Sequence, residues 1–132
     1  MLKTLLVEDN EQFRKAFKEM LNDSFPKMVV EEAADGKEAL EKVDSFFPRL
    51  IFLDIRLPDE SGLQLTKKIK AKYPEISIVM LTSYDLPEYR KAATAYGASH
   101  YLVKGSSDSG QIAAWVESLS DGSKDSPMKE EK

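Results

Sequence analysis

The chain has 132 residues, a common size for one domain, and its 42% hydrophobic content is ordinary for a globular protein. With 19 basic and 23 acidic residues its formal charge is −4, which argues against a generic nucleic-acid-binding surface. The absence of cysteine excludes disulfides, thiolate metal sites and a cysteine nucleophile. No apolar stretch approaches the ~20 residues of a transmembrane helix, so we expect a soluble cytoplasmic protein.

Strand-like and helix-like segments alternate along the chain. In chain order, the sequence predicts a strand at 3–7, a helix at 11–22, a strand at 28–33, a helix at 37–46, a strand at 50–54, a helix at 63–73, a strand at 76–81, a helix at 87–96, a strand at 99–103 and a helix at 108–119. Pro26 and Pro48 separate elements, because proline breaks a helix. Asp35 and Ser61 are placed as helix N-caps, and Gly97 as the residue that ends the fourth helix.

Five strand–helix units in series predict an α/β fold, with a doubly wound parallel sheet and helices on both faces. We expect one domain over 1–120 and a disordered polar tail over 121–132. In sheets of this kind, ligands bind at the carboxyl ends of the strands. The polar residues at those ends are Glu8, Asp9, Asp54, Thr82 and Lys104.

Two of those strand ends carry acids. The run 5–7 ends in Glu8-Asp9, and the run 50–53 ends in Asp54. If the two strands are neighbours, three carboxylates repel one another unless a cation joins them, and Mg²⁺ is the first choice. One carboxylate could then attack a phosphoryl group and form an acyl phosphate. Lys104 offers a charge, and Thr82 a hydrogen bond, to the phosphoryl oxygens.

Each of these residues alone would be an ordinary strand terminus, so their order along the chain matters. Four motifs occur at successive predicted strand ends: Leu6-Val7-Glu8-Asp9-Asn10, then Leu53-Asp54-Ile55-Arg56-Leu57-Pro58 with Ser61-Gly62, then Leu81-Thr82-Ser83, and last Gly97-Ala98 with Tyr101-Leu102-Val103-Lys104. Over about 3–119 the chain resembles the receiver domain of two-component response regulators. The resemblance implies a flavodoxin-like, CheY-like sheet of five strands in the order 2-1-3-4-5.

The same resemblance implies a metal site and a phosphorylated residue. Asp54 is similar to the phosphoacceptor, Asp9 to the direct Mg²⁺ ligand, and Glu8 to the acid that acts mainly through water. Arg56 lies where the family gives a backbone carbonyl to the metal. We therefore expect Asp54 to serve both as a metal ligand and as the nucleophile, with Mg²⁺ as the ion and Mn²⁺ as an alternative.

Four side chains resemble the family's sensing and timing residues. Thr82 and Lys104 resemble the phosphate-sensing pair, and Tyr101 the aromatic residue that turns inward when the threonine is drawn to the phosphoryl group. Arg56 and Tyr84, two residues after the acceptor and two after the threonine, occupy positions that tune hydrolysis in the family. Both are bulky, which predicts a longer-lived phosphoryl group than small polar residues would give.

One position departs from the family pattern. Gly105 follows Lys104 where the family commonly has a proline after a cis peptide bond. A cis bond before a non-proline residue costs about 3 kcal/mol, so we expect a trans peptide or a more mobile loop. The missing proline resembles receivers of LuxR-type transcription factors, which carry a DNA-binding domain after the receiver. The residues after Ser120 are too few for one, so either this receiver stands alone or the chain is a fragment of a longer regulator.

These features imply a signalling switch, with Mg²⁺-dependent self-phosphorylation and dephosphorylation as its only chemistry. The expected partner is a sensor histidine kinase or a phosphotransfer protein, and homodimerisation on phosphorylation is one expected output. We expect neither membrane insertion nor direct nucleic-acid binding by this chain. Two alternatives stay open. One is an aspartate-nucleophile phosphatase, although Arg56 stands where such enzymes usually have a second aspartate, and the other is a receiver-like binding module that never meets phosphate.

Overall fold

The structure is a computed structural model that describes residues 2–105 and 109–122, in which strands and helices alternate strictly. In chain order the elements are β1 (Lys3–Val7), α1 (Glu11–Ser24), β2 (Val29–Ala33), α2 (Gly36–Phe46), β3 (Leu50–Asp54), α3 (Gly62–Lys72), β4 (Ser77–Thr82), α4 (Pro87–Tyr96), β5 (His100–Val103) and α5 (Ser109–Gly122). The predicted strand–helix alternation is confirmed, and most element ends differ from the prediction by only one or two residues.

The strands form one parallel sheet in the order β2-β1-β3-β4-β5, as the resemblance implied. The register aligns the carboxyl ends of the inner strands, because Val7 lies beside Leu53 and Asp54 lies beside Leu81. Thr82 in turn lies beside Val103. Polar residues that are far apart in the sequence therefore meet at one edge of the sheet.

Helices cover both faces of the sheet, and alternate strand residues point to opposite faces. Leu5 and Ile51 share the face that packs against α2, α3 and α4. Leu6 and Phe52 share the face that packs against α1 and α5. All five residues of β3 are buried, since the central strand has helices above and below it. None of the described helices combines the length and the apolar character needed to cross a membrane.

Short polar side chains fix where the helices begin. Asp35 accepts a hydrogen bond from the Glu38 backbone N–H at 2.8 Å, and Ser61 accepts one from the Leu63 N–H at 3.1 Å, so both predicted N-caps are confirmed. Gly97 ends α4 with φ 106°, a conformation that favours glycine. The last helix continues to Gly122, past the predicted end at 119, and the rest of the predicted disordered tail, 123–132, lies outside the described residues.

Gly62, at the start of α3, lies against the end of β3 and offers a sharp test of this packing. Its backbone N–H donates to the Ile55 carbonyl at 2.7 Å. A methyl group at Gly62 would lie 2.1 Å from the carbonyl oxygen of Asp54, a backbone atom that cannot yield easily. We predict that Gly62→Ala lowers the free energy of unfolding by about 2–3 kcal/mol, as other overpacking substitutions do. Denaturant titration measures the change.

Gly105→Ala is the matched control for that substitution. Unlike Gly62, Gly105 has a positive φ of 88°, and an added methyl group there meets nothing within 4 Å. Only conformational strain of about 1–2 kcal/mol should appear. If Gly62→Ala costs no more than Gly105→Ala, the close approach between α3 and the end of β3 is wrong.

Candidate functional site

Three carboxylates meet at the carboxyl edge of the sheet. Glu8 and Asp9 directly follow β1, and Asp54 is the last residue of β3, the strand beside it. One carboxylate oxygen from each lies within 4.8 Å of the others. Glu8 is 0% exposed and Asp54 is 5% exposed, whereas Asp9 faces solvent. The predicted cluster therefore forms, with two of its acids removed from bulk water.

Lys104 supplies a positive charge to this cluster from the end of β5. Its Nζ lies 2.5 Å from Oε1 of Glu8 and 3.3 Å from Oδ2 of Asp54. Its backbone N–H donates to the Thr82 carbonyl at 2.7 Å, which holds the lysine against the neighbouring strand. The side chain also passes over Phe13, with Nζ 4.6 Å from the ring centroid. The lysine is thus fixed between two acids that would otherwise repel each other.

Burial and charge act in opposite directions on this group. Burial raises the pKa of Glu8, and the contacts with Lys104 and the Asn10 N–H reduce that rise without cancelling it. Burial alone would lower the pKa of Lys104, but its contacts with Glu8 and Asp54 outweigh this and raise it. The lysine is therefore held in its charged form by the acids around it.

The carboxylate of Asp54 is oriented by its own loop. The Arg56 backbone N–H donates to Oδ1 of Asp54 at 3.2 Å, while Lys104 approaches the other oxygen. Arg56 also pairs with Ser61 in an isolated antiparallel bridge that narrows the β3–α3 loop. The expected metal contact of the Arg56 carbonyl stays a prediction. The Arg56 guanidinium lies 4.4 Å from the ring centroid of Tyr84, so these two bulky side chains stack beside the acids.

Thr82 is connected to Tyr101 through the backbone of Tyr84. Thr82 is buried, and its hydroxyl accepts a hydrogen bond from the Tyr84 N–H at 3.0 Å. The Tyr84 carbonyl accepts a hydrogen bond from the Tyr101 hydroxyl at 3.0 Å. Tyr101 is half-buried beneath the guanidinium of Arg90, and burial raises the pKa of its phenol. The Tyr101 phenol also interacts directly with the Thr82 side chain, so a movement of the Thr82 hydroxyl would affect both Tyr84 and Tyr101.

These groups surround a cavity of about 260 Å³ that opens at the sheet edge. Its lining residues are Glu8, Asp9, Asn10, Asp54, Arg56, Thr82, Ser83, Tyr84 and Lys104. The structure thus brings together every predicted site residue except Tyr101, which lies behind Tyr84. Asn10 was not predicted as a site residue. Its side chain caps α1 and its N–H donates to Glu8, and an asparagine directly before a helix is the signal that could have revealed it.

The peptide bond after Lys104 is where the sequence departs from the family pattern. The described residues contain no cis peptide bond, so the Lys104–Gly105 peptide is trans, one of the two outcomes expected without proline. Gly105 has φ 88°, in the left-handed region that glycine adopts without steric cost. Lys104 reaches both acids although glycine, and not proline, follows it.

The donor set fits a hard divalent cation. Three carboxylates face one lysine, which leaves the cluster with excess negative charge. Oε1 of Glu8 is buried and paired with the Lys104 ammonium, whereas the carboxylate of Asp9 faces solvent and can turn toward an ion. Carboxylate oxygens are the ligands that Mg²⁺ prefers. Glu8, Asp9 and Asp54 are the residues that would hold it.

Comparison with known proteins settles the family. Residues 4–117 match the model of the response regulator receiver domain. The chain belongs to this family. It is therefore a receiver domain of a two-component response regulator, and the four motifs identified in the sequence all fall within the matched range.

Individual relatives agree with this assignment. The oxygen regulatory protein NreC of Staphylococcus carnosus is 36% identical over 114 residues, which cover 86% of this chain and 52% of the relative. The chain thus spans about half the length of that curated relative. The response regulator TrrA of Thermotoga maritima, solved in complex with Mg²⁺–BeF, is 31% identical with a TM-score of 0.78 and covers 90% of this chain and 99% of that one. A LuxR-family response regulator from Aurantimonas has a TM-score of 0.80 at 26% identity, over 89% of this chain and 84% of that one.

Proposed function

We propose that this receiver domain accepts a phosphoryl group on Asp54 from a phosphohistidine of a sensor histidine kinase or a phosphotransfer protein. One observation carries the proposal. The Asp54 carboxylate lines an open cavity, with one oxygen 3.3 Å from Lys104 and with Glu8 and Asp9 beside it. A plain metal site has no need of the lysine. A phosphoryl acceptor does, because the transferred group brings further negative charge.

The proposed reaction is a transfer between two nucleophiles. An oxygen of the Asp54 carboxylate attacks phosphorus, a new O–P bond forms, and the P–N bond of the donor breaks with its electron pair returning to the imidazole nitrogen. Lys104 is placed to meet a phosphoryl oxygen. A divalent cation, Mg²⁺ or alternatively Mn²⁺, would neutralise part of the charge that gathers at this edge. Asp9 and Asp54 would bind it directly, with Glu8 acting mainly through water and Arg56 offering its carbonyl.

The switching step is proposed to follow from the path that joins Thr82 to Tyr101. If the Thr82 hydroxyl turns toward a phosphoryl oxygen, the Tyr84 N–H loses its acceptor. The Tyr84 carbonyl is the acceptor for Tyr101, so a shift of Tyr84 changes the position of that ring. Tyr101 lies on β5 beside α4, and the α4–β5–α5 face is therefore the proposed output surface. A homodimer that forms on phosphorylation would use the same face.

The wider setting is also part of the proposal. Because the chain spans about half the length of the relative described above, we propose that this receiver can act with a further output domain. Its similarity to a LuxR-family regulator makes a DNA-binding domain the first candidate. Phosphoryl transfer from a histidine kinase would take place in the cytoplasm, and no turnover beyond the receiver's own phosphorylation and dephosphorylation is proposed.

Acetyl phosphate provides the direct test of the phosphoacceptor. With Mg²⁺ present, intact-protein mass spectrometry should show one adduct of about 80 Da on the wild-type chain, the mass of one phosphoryl group. Asp54→Asn should show none, since the nucleophilic oxygen is gone. Asp85→Asn, which removes an exposed acid paired with Arg90, is the control and should be phosphorylated normally. An adduct that persists in Asp54→Asn, or steady release of phosphate from simple phosphomonoesters, would refute the proposal.

The stacked Arg56 and Tyr84 side chains should slow the loss of the phosphoryl group. They line the cavity beside Asp54, where their bulk would restrict the approach of water. We predict that the double substitution Arg56→Asn with Tyr84→Ser shortens the half-life of the phosphorylated protein several-fold, measured by mass spectrometry after acetyl phosphate is removed. Lys67→Asn with Tyr96→Ser disrupts a similar cation–π pair outside the cavity and should leave the half-life unchanged. Equal half-lives in all three proteins would show that the stack does not control water.

A further inference from the structure

The link between β1 and α1 has to hold two acids in place against their mutual repulsion. It consists of Glu8, Asp9 and Asn10, and it is anchored at its start by the Glu8 N–H, which donates to the Ala33 carbonyl at 3.0 Å. Asp9 is the exposed member of the cluster. Repulsion from Glu8 and Asp54 therefore tends to move it outward into solvent, away from the geometry that a cation needs.

Arg14 contacts this link from the first turn of α1. Its Nη1 donates to the Glu8 carbonyl at 2.8 Å. Its Nε donates to Oε1 of Glu32 on β2 at 2.9 Å, and its side chain is only 17% exposed. One guanidinium thus joins the link to the neighbouring strand, because a planar group with several donors can bind two acceptors at once.

The Glu8 carbonyl, which accepts the hydrogen bond from Arg14, lies where it can fix the direction of Asp9. It belongs to the rigid peptide plane that connects Glu8 to Asp9, so fixing it limits the directions in which Asp9 leaves the chain. Glu32 provides a firm anchor on the other side. Burial alone would raise the pKa of Glu32, but Lys18 and Arg14 outweigh this and lower it, so the glutamate stays charged.

We propose that Arg14, anchored by Glu32, is a positioning residue that preorganises Glu8 and Asp9 for the divalent cation. The inference rests on the proposed function of the cluster. Its effect is to set the geometry of the acids before the cation arrives, so that the cost of gathering them is met in folding and not in binding. Loss of an outer contact of this kind typically weakens metal binding about 10- to 100-fold.

Lys18 provides a matched control. Its Nζ contacts the other oxygen of Glu32 at 3.0 Å. Lys18→Met therefore removes a positive charge that pairs with the same glutamate from the same helix. Lys18 makes no hydrogen bond to the Glu8 carbonyl, so that contact stays intact. Arg14→Met removes the corresponding charge together with that contact. A difference between the two variants reports the contact itself.

The test is calorimetric titration of the full chain with Mg²⁺, together with denaturant titration of each variant. We expect Arg14→Met to weaken Mg²⁺ binding about tenfold or more relative to wild type, and Lys18→Met to bind within about twofold of wild type, at similar free energies of unfolding. Arg14→Lys keeps the charge but has one nitrogen in place of the Nε and Nη1 that reach the two separate acceptors, and it should weaken binding by at least about threefold. If Arg14→Met does not fold, the Mg²⁺ affinity of Arg14→Lys tests the inference in its place.

Two contrary results are distinguishable. If wild type binds Mg²⁺ and the Arg14 variants bind it as tightly as Lys18→Met, Arg14 has only a structural role and this inference is wrong while the proposed function stands. If wild type itself binds no Mg²⁺, the metal site of the proposed function is wrong, and the positioning role is refuted with it.

Discussion

The ion pairs of one half-buried lysine with two acids are the interaction on which the site depends. Lys104 reaches Glu8 at 2.5 Å and Asp54 at 3.3 Å from a strand that is separated from β1 by two others in the sheet. Without it, two carboxylates removed from water would face each other with no countercharge, a costly arrangement. The lysine offsets this cost but cannot neutralise three acids. The remaining negative charge is what prepares the pocket for a further cation.

The sheet makes this arrangement available at little structural expense. Parallel register brings Asp54 level with Leu81 on the neighbouring strand, so the ends of the strands form a common edge. Helix starts behind that edge hold the backbone in place: Gly62 packs against the Asp54 carbonyl, and Asn10 caps α1 directly after the acids. The site is therefore rigid at its base, and adjustable mainly at Tyr84, through which Thr82 and Tyr101 are connected.

Much of this could be predicted from the sequence because it depends on local patterns. Apolar runs followed by acidic residues indicated where strands end. Asp35 and Ser61 indicated where helices begin, because their side chains cap helix N-termini. Contacts between distant residues carried no such signal. Arg14 and Glu32 are 18 residues apart, and neither periodicity nor motif joins them. Likewise, no motif marks His100 as a packing residue, yet its ring is half-buried and stacks on Trp115 with centroids 4.3 Å apart.

The Mg²⁺ affinity of the acidic cluster tests the central claim most directly. Calorimetric titration of the wild-type chain should reveal one Mg²⁺ per protein, and Asp9→Asn should bind at least about tenfold more weakly because a charged ligand is lost. Asp23→Asn removes an exposed acid from α1, away from the cavity, and should bind as wild type does. If wild type binds no Mg²⁺, or if Asp9→Asn and Asp23→Asn bind it equally well, the account of three acids awaiting a cation is contradicted.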